Sequence, residues 1–215
     1  ASTPSTLSNG YHYVSLAGSN VYPYTSWATA STNIQAAINA ATNDYDIVLV
    51  AAGAYLGVSN RDMNFDGKKI MVMSEHGRQN CIIDCENAAR AFWFVSTETR
   101  ASVLDGFTVR NASGGDDYGG GIYIGCGYGG SSPTIQNCLF TGCYAGCGSG
   151  VIIDGIPDNW AAAAPALINC VIVSNTAGWN AGAVYAQQGT HVLIQNCTIS
   201  YNTGGGIYML NDEGL

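Results

Sequence analysis

The chain repeats itself, and the repeat limits what it can fold into. The stretch Leu193 to Met209 reads Leu-Ile-Gln-Asn-Cys-Thr-Ile-Ser-Tyr-Asn-Thr-Gly-Gly-Gly-Ile-Tyr-Met. Its Asn196-Cys197 pair returns as Asn169-Cys170 and Asn137-Cys138, and in weaker form as Asp105-Gly106 and Asp84-Cys85. The anchor cysteines Cys138, Cys170 and Cys197 lie 32 and 27 residues apart, a solenoid period in which no unit can bury its own apolar face and each must stack on the next. Every copy reads as a strand, an Asn or Asp turn, a second strand, a variable loop, a glycine cluster and a third strand. The clusters are Gly119-Gly120-Gly121, Gly148-Ser149-Gly150, Ala181-Gly182-Ala183 and Gly204-Gly205-Gly206. Short strands with no helical period between them imply a parallel coil whose turns stack at ~4.8 Å.

Stacking makes equivalent side chains neighbours. Asp84, Asp105, Asn137, Asn169 and Asn196 are expected to form one corner ladder, since Asn and Asp tolerate left-handed backbone and bond to adjacent turns. A second column runs through Asn111, Cys143, Asn175 and Asn202. Cys138, Cys170 and Cys197, with Cys85, are expected in the core. Parallel side chains one strand apart hold their Cβ atoms beyond the ~3.5–4.5 Å of a disulfide, so the column reads as thiols. Cys143 and Cys147 flank a glycine-rich loop and are candidates to close on each other, with Cys126 or Cys81 as alternative partners; one or two disulfides are expected.

Upstream the pattern changes. Residues 1–30 read as an N-terminal arm and an aromatic loop, with a strand at Tyr13 to Leu16. Residues 31–42 read as a capping helix: Ile34, Ala37, Ile38 and Ala41 share a face, and Thr32-x-x-Gln35 has the form of a capping box. Residues 43–215 read as the coils of a single domain. The first, Asp46 to Gly53, is a continuous apolar run of the kind expected of a strand buried on both faces. The segment Ala1 to Gly10 looks like the start of a processed mature chain and a candidate exchange arm. Residues Asn211 to Leu215 offer no amphipathic cover for the last coil, so that end is expected to be uncapped and to self-associate by strand addition.

Hydrophobic residues make up 47% of the 215 and charged residues 10%, and no apolar run is long enough to span a bilayer, so a packed core without a transmembrane segment is expected. Seven Lys and Arg against 15 acidic residues, a formal charge of −8, leave no basic surface for nucleic acid. Eight cysteines without zinc spacing favour an oxidising compartment over a metal site, with buried free thiols as the alternative.

The runs Tyr13-Val-Ser-Leu, Pro23-Tyr-Thr-Ser-Trp-Ala-Thr-Ala, Asn33-Ile-Gln-Ala-Ala-Ile and Val48-Leu-Val-Ala-Ala-Gly-Ala-Tyr, followed by Ile-x-Asn-Cys and Gly-Gly-Gly-Ile-Tyr repeats, resemble a known family. They are similar to the secreted bacterial right-handed parallel β-helix proteins of the pectin-lyase-like superfamily. The resemblance implies an all-β, right-handed parallel β-helix with a short N-terminal helix, secreted or at the cell surface. It implies little about activity, because the superfamily holds lyases, hydrolases, adhesins, tailspikes and surface proteins.

Within the third strand Ile122, Val151, Val184 and Ile207 should face in, which turns Tyr123, Ile152, Tyr185 and Tyr208 outward. That stripe reads as a stacking surface for sugar rings, a subunit contact, or ordinary sheet decoration; in enzymes of the superfamily this sheet often lines the glycan cleft. The acidic pair Asp116-Asp117, with Arg110 nearby, is a candidate for acid–base chemistry or a Ca²⁺ site, and equally a solvated turn. The Asn-Thr-Asp, Gly-His-Gly and Arg-Ile-Lys signatures of galacturonan hydrolases are absent. The glycine clusters feed strands rather than helices, which argues against a phosphate loop. The sequence thus points to a structural or adhesive β-helix in an extracellular or cell-surface assembly, of which a filament is one form. The alternative is a polysaccharide-active enzyme or glycan-binding module.

Overall fold

Along many strands of the repeat, such as Met71–Ser74, Thr134–Gln136 and Leu139–Thr141, burial alternates between inward and outward residues, and the strands pair in parallel with equivalent positions in register. The architecture is that of a parallel β-helix. It is seen in a computed structural model that describes residues 10–116, 118–125, 130–155, 163–187 and 189–210.

Three stacked sheets of seven, six and six strands form its walls. The first sheet holds Tyr11–Val14, Ile47–Val50, Met71–Ser74, Val103–Asp105, Thr134–Gln136, Ala166–Ile168 and Leu193–Gln195. The second holds Gly53–Tyr55, Cys81–Asp84, Thr108–Arg110, Leu139–Thr141, Val171–Val173 and Thr198–Ser200. The third holds Met63–Asn64, Phe92–Phe94, Ile122–Gly125, Val151–Asp154, Val184–Gln187 and Ile207–Leu210. Inward residues of all three fill one core. Leu104, Ile135 and Leu167 stack from the first sheet, Val109, Phe140 and Ile172 from the second, and Ile122, Val151 and Val184 from the third. Phe65, Phe92 and Phe94 pack at centroid distances of 5.0–6.1 Å.

Corners set the register. After the first-sheet strands, Gly106, Asn137, Asn169 and Asn196 take φ of 81°, 54°, 54° and 53°. Asn169 Nδ2 donates to Asn137 Oδ1 at 3.3 Å, and Asn137 Nδ2 to Asp105 Oδ1 at 2.7 Å. The side-chain ladder runs through Asn169, Asn137 and Asp105, Asn196 shares the corner backbone, and two positions differ from the expectation. Asp105 precedes the corner, paired in register with Gln136, and receives the ladder's last bond while Gly106 makes the turn. Asp84 lies in the second sheet opposite Arg110, so it belongs to the other corner.

At that second corner Asn111, Gly142, Ser174 and Tyr201 adopt φ of 52°, 63°, 57° and 55°. Cys143, Asn175 and Asn202 come one residue later, so Asn111 does not share their column. Asn175 is buried: its Oδ1 accepts from Cys143 N at 2.9 Å, and its Nδ2 donates to Phe140 O at 3.1 Å and to Asn202 Oδ1 at 3.1 Å. Gly120 shows why the third-sheet entry is glycine-rich, since a Cβ there would meet Ser149 O of the next coil at 2.2 Å.

The helix, Ile34–Ala40, closes one end. Its N-cap is Asn33 rather than Thr32, because Asn33 Oδ1 accepts from Ala36 N at 2.9 Å. Ile34, Ala37, Ile38 and Ala40 are buried, and the helix packs on the first strands of the first and third sheets. Gln35 leaves the expected capping role and behaves as a strand: its amide accepts Asn64 N at 2.9 Å and donates to Asn64 O at 3.1 Å, satisfying the edge of the third sheet. The first strand is Tyr11–Val14 rather than Tyr13 to Leu16 and already belongs to the first sheet.

Two outcomes follow from these corners and caps. Asn169→Ala should cost about 1 kcal/mol in urea denaturation and Asn169→Gly less, because the left-handed backbone is the constraint. Asn175→Ala should cost about 2 kcal/mol, since it strands the buried Cys143 N–H. The second outcome concerns acid. The buried Asp46 carboxylate accepts from the N–H groups of Gly10, Thr42 and Asn43 at 2.9–3.1 Å and faces His12 at 3.5 Å. Burial alone would raise its pKa, but the Asn43 and Gly10 N–H groups and His12 bring it below the ordinary 3.8. Its stabilisation is present above that value and disappears as pH falls through the lower folded value. Thermal melts of Asp46→Asn should accordingly lose part of the stability at pH 6 and show a shallower decline between pH 4 and 2 than the parent.

Candidate functional site

Of the groups considered for acid–base work, Arg110 and Asp116 each bond to a different partner. Arg110 Nε donates to Asp84 Oδ2 at 2.8 Å, and Asp84 also accepts from Asn111 Nδ2 and Glu86 N, each at 3.0 Å. Burial pushes the Asp84 carboxyl up, but the Glu86 N–H, the Asn111 amide and the Arg110 guanidinium outweigh it and hold the group below its usual range. Asp116 accepts from the Tyr144 hydroxyl at 3.0 Å, which raises the phenol's pKa. Asp117 lies outside the described residues. Among the described residues no three His, Cys, Asp or Glu side chains converge on a metal position.

The outward aromatic column is real in register but not open. Asn64, Trp93, Tyr123, Ile152, Tyr185 and Tyr208 follow one another across the third sheet. Between the second and third sheets, Tyr144–Cys147 and Thr176–Ala181 pair into a two-stranded sheet of their own. Cys147 and Ala181 from it pack with Ile152 and Tyr185 as a second hydrophobic cluster, with Tyr123 against it. Ile152 is fully buried and Tyr185 only 6% exposed, so both correct the expectation of an exposed stripe. Tyr185 stacks on Tyr208 at 5.3 Å and on Tyr118 at 6.4 Å, and burial raises its pKa. Tyr208 alone of the predicted tyrosines is exposed.

Beside this covered region lies a polar group of which the sequence reading had found only Tyr123. Arg90 stands 4.5 Å from the Trp93 ring centroid, Trp93 packs at 4.7 Å on Tyr123, and Trp93 Nε1 donates to Asp62 Oδ1 at 2.8 Å. The Tyr123 hydroxyl and the Gln187 amide both donate to Asp154. Extending the period of two to Phe92-Trp93-Phe94 and to the fourth strand position, Gly125, Asp154 and Gln187, would have found them.

The first sheet presents a different face. Its inward residues Val14, Val48, Val50 and Val72 are fully buried. Its outward residues in the first coils are also apolar: Tyr11, Ile47, Met71 and Val103 form one column, and Tyr13, Leu49 and Met73 another, before the columns turn polar at Thr134 and at Asp105 and Gln136. Burial on both faces was expected for Asp46 to Gly53, yet Ile47 and Leu49 are only partly buried, and Tyr11 and neighbouring Tyr45 are 45% and 47% exposed. A shallow pocket of about 200 Å³ opens between Tyr45, Ile47, Met71, Ala101 and Val103.

The described cysteines are thiols. Cys138, Cys170 and Cys197 lie just past the first corner, with Sγ groups directed to Gln136 O, Ile168 O and Gln195 O at 3.1, 3.4 and 3.4 Å. Cys81, Cys85, Cys143 and Cys147 are likewise free, which corrects the expected disulfides among Cys81, Cys143 and Cys147. Cys126 lies outside the described residues. Cys143 directly precedes, and Cys147 ends, the parallel strand Tyr144–Cys147, so the chain between them is extended rather than turned back. The cysteine count therefore no longer speaks for an oxidising compartment. The expectation of an uncapped end falls on residues 211–215, also outside the described residues.

No family model, no curated protein and no solved structure matches this chain. The parallel β-helix stands on its own geometry.

Burial pushes Cys81, Cys143 and Cys170 up to about 12 and raises Cys85, Cys138 and Cys147 as well. Iodoacetamide at pH 8 should therefore label half-buried Cys197 first and leave those six essentially unmodified until urea is added. Peptide mass spectrometry reads the order directly.

Proposed function

We propose that the protein is a structural or adhesive β-helix, a subunit of an extracellular or cell-surface assembly that pairs with a second copy through the outer face of its first sheet. The observation that carries this reading is the uncharged double column of Tyr11, Ile47, Met71 and Val103 beside Tyr13, Leu49 and Met73. A sheet with one face in water normally alternates apolar with polar residues; apolar residues on both faces indicate a surface meant for burial. The occupant is a second copy because the face carries both halves of a contact. Exposed Tyr11 stands next to Ile47 in register, and Ile47 lines the 200 Å³ pocket, so a two-fold axis through the patch lets each copy's tyrosine enter the other's pocket. The extracellular placement rests on the resemblance to secreted β-helix proteins.

A glycan-binding module is the second reading. What favours it is the Asp62, Trp93, Tyr123 and Asp154 group, with carboxylates bonded to the two aromatic side chains.

Size-exclusion chromatography with light scattering separates the two. The parent should run as a dimer or larger species at high micromolar concentration. Leu49→Glu with Met71→Glu should run as a monomer with unchanged circular dichroism, since both residues point away from the core. A monomeric parent sinks the pairing. Binding of neutral or acidic polysaccharides that is lost in Trp93→Ala would transfer the function to the third sheet.

A further inference from the structure

The first corner is crossed by two residues in most coils, as at Gly106-Phe107, Asn137-Cys138, Asn169-Cys170 and Asn196-Cys197, but by six, Glu75 to Asn80, in one. An insertion at a single corner of a regular solenoid is where function accumulates. This loop is built, not loose: Asn80 N donates to Gly77 O at 3.0 Å, Asn80 Nδ2 to His76 O at 3.0 Å, and Thr108 Oγ1 to Arg78 O at 2.7 Å. Between the loop and the asparagine ladder lies a cleft of about 570 Å³, lined among others by Ser74, His76, Arg78, Asp105, Asn137 and Asn169.

Arg78 defines its chemistry. Nη1 reaches across the corner to Asn169 O at 3.1 Å and to Cys138 O at 3.5 Å, locking the guanidinium over two coils. Among the described residues Nε and Nη2 have no partner, and no carboxylate comes within ion-pair distance of Arg78. A half-buried guanidinium held by one edge presents the other as a fork for a carboxylate. Across the cleft Asp105 has the opposite character. Its two oxygens take one ladder bond each, from Asn137 Nδ2 at 2.7 Å and Gln136 Nε2 at 2.8 Å, leaving acceptor capacity for a ligand donor.

We propose that this cleft binds a small carboxylic acid bearing a hydrogen-bond donor, a hydroxy acid or an amino acid. Its carboxylate lies on the open edge of Arg78 near His76, and its hydroxyl or ammonium group on Asp105 and the Asn137 amide. The cleft borders the pairing face, since Met73 lines it and Asp105 follows Met73 in the same outward column, but its ligand contacts are made by Arg78, Asp105 and Asn137, none of which the pairing uses.

The probes are glycolate, L-serine, acetate and ethanolamine, titrated into ¹⁵N-labelled full-length protein and followed by amide chemical shifts. Glycolate and L-serine should saturate shifts at Gly77, Gly106, Asn137 and Asn169. Acetate, lacking the donor, should bind about tenfold more weakly, and ethanolamine, lacking the carboxylate, not at all. Asp105→Asn should weaken L-serine more than glycolate, because only the ammonium gains from the charge, and this separates the amino acid from the hydroxy acid. Arg78→Gln should abolish binding of every carboxylate. If that variant is unfolded by circular dichroism, the shift map of the parent decides. Silence at these four amides with both glycolate and L-serine overturns the proposal, as does an unchanged response in folded Arg78→Gln.

Discussion

Parallel in-register pairing of successive coils is the constraint on which the rest of this molecule depends. A strand of three or four residues makes too few backbone bonds to persist alone, and it is held because the same strand recurs one coil away on either side. Recurrence demands that every coil turn at the same place by the same angle. That is why Gly106, Asn137, Asn169 and Asn196, and again Asn111, Gly142, Ser174 and Tyr201, share the left-handed backbone region. Asparagine serves twice at the first corner, since it tolerates the conformation and its amide bonds to its counterpart in the neighbouring coil.

The stack leaves two kinds of unsatisfied surface, sheet edges and outer sheet faces, and the chain treats them locally. At the helix end, the Gln35 amide pairs with both backbone groups of Asn64 as a strand would. On the third sheet, a longer excursion between strands folds into a small sheet and buries Ile152 and Tyr185 from outside. The first sheet has no such cover over Tyr11, Ile47, Met71 and Val103 among the described residues. Apolar residues on both sides of one sheet, with one side sealed by the core and the other partly exposed, give the molecule its directional character.

Much of the fold was legible because solenoid order is written as sequence periodicity. The Asn-Cys pairs and glycine clusters marked coils, inward residues followed from a period of two, and the thiol column followed from strand spacing. Errors came where alignment by residue type replaced alignment by register. Asp105 resembles an asparagine but sits one residue before the corner, and Asp84 resembles the same anchor but ends a second-sheet strand. Cys143 and Cys147 looked able to close a glycine loop, but the segment between them is a strand.

Sequence alone determined the coil, its corners, its core residues and the helix at its end, because each is enforced by contacts between equivalent positions whose spacing the chain itself carries. Only the tertiary structure decided which outward residues remain exposed and which polar groups meet. Tyr185 is covered by residues 144–147 and 176–181, and Arg78 crosses to a carbonyl 91 positions away. The first arises where a small sheet in the longer excursion folds over the third sheet, the second where the one inserted corner loop folds back over the stack. The distances that matter there run across the coils rather than along the chain.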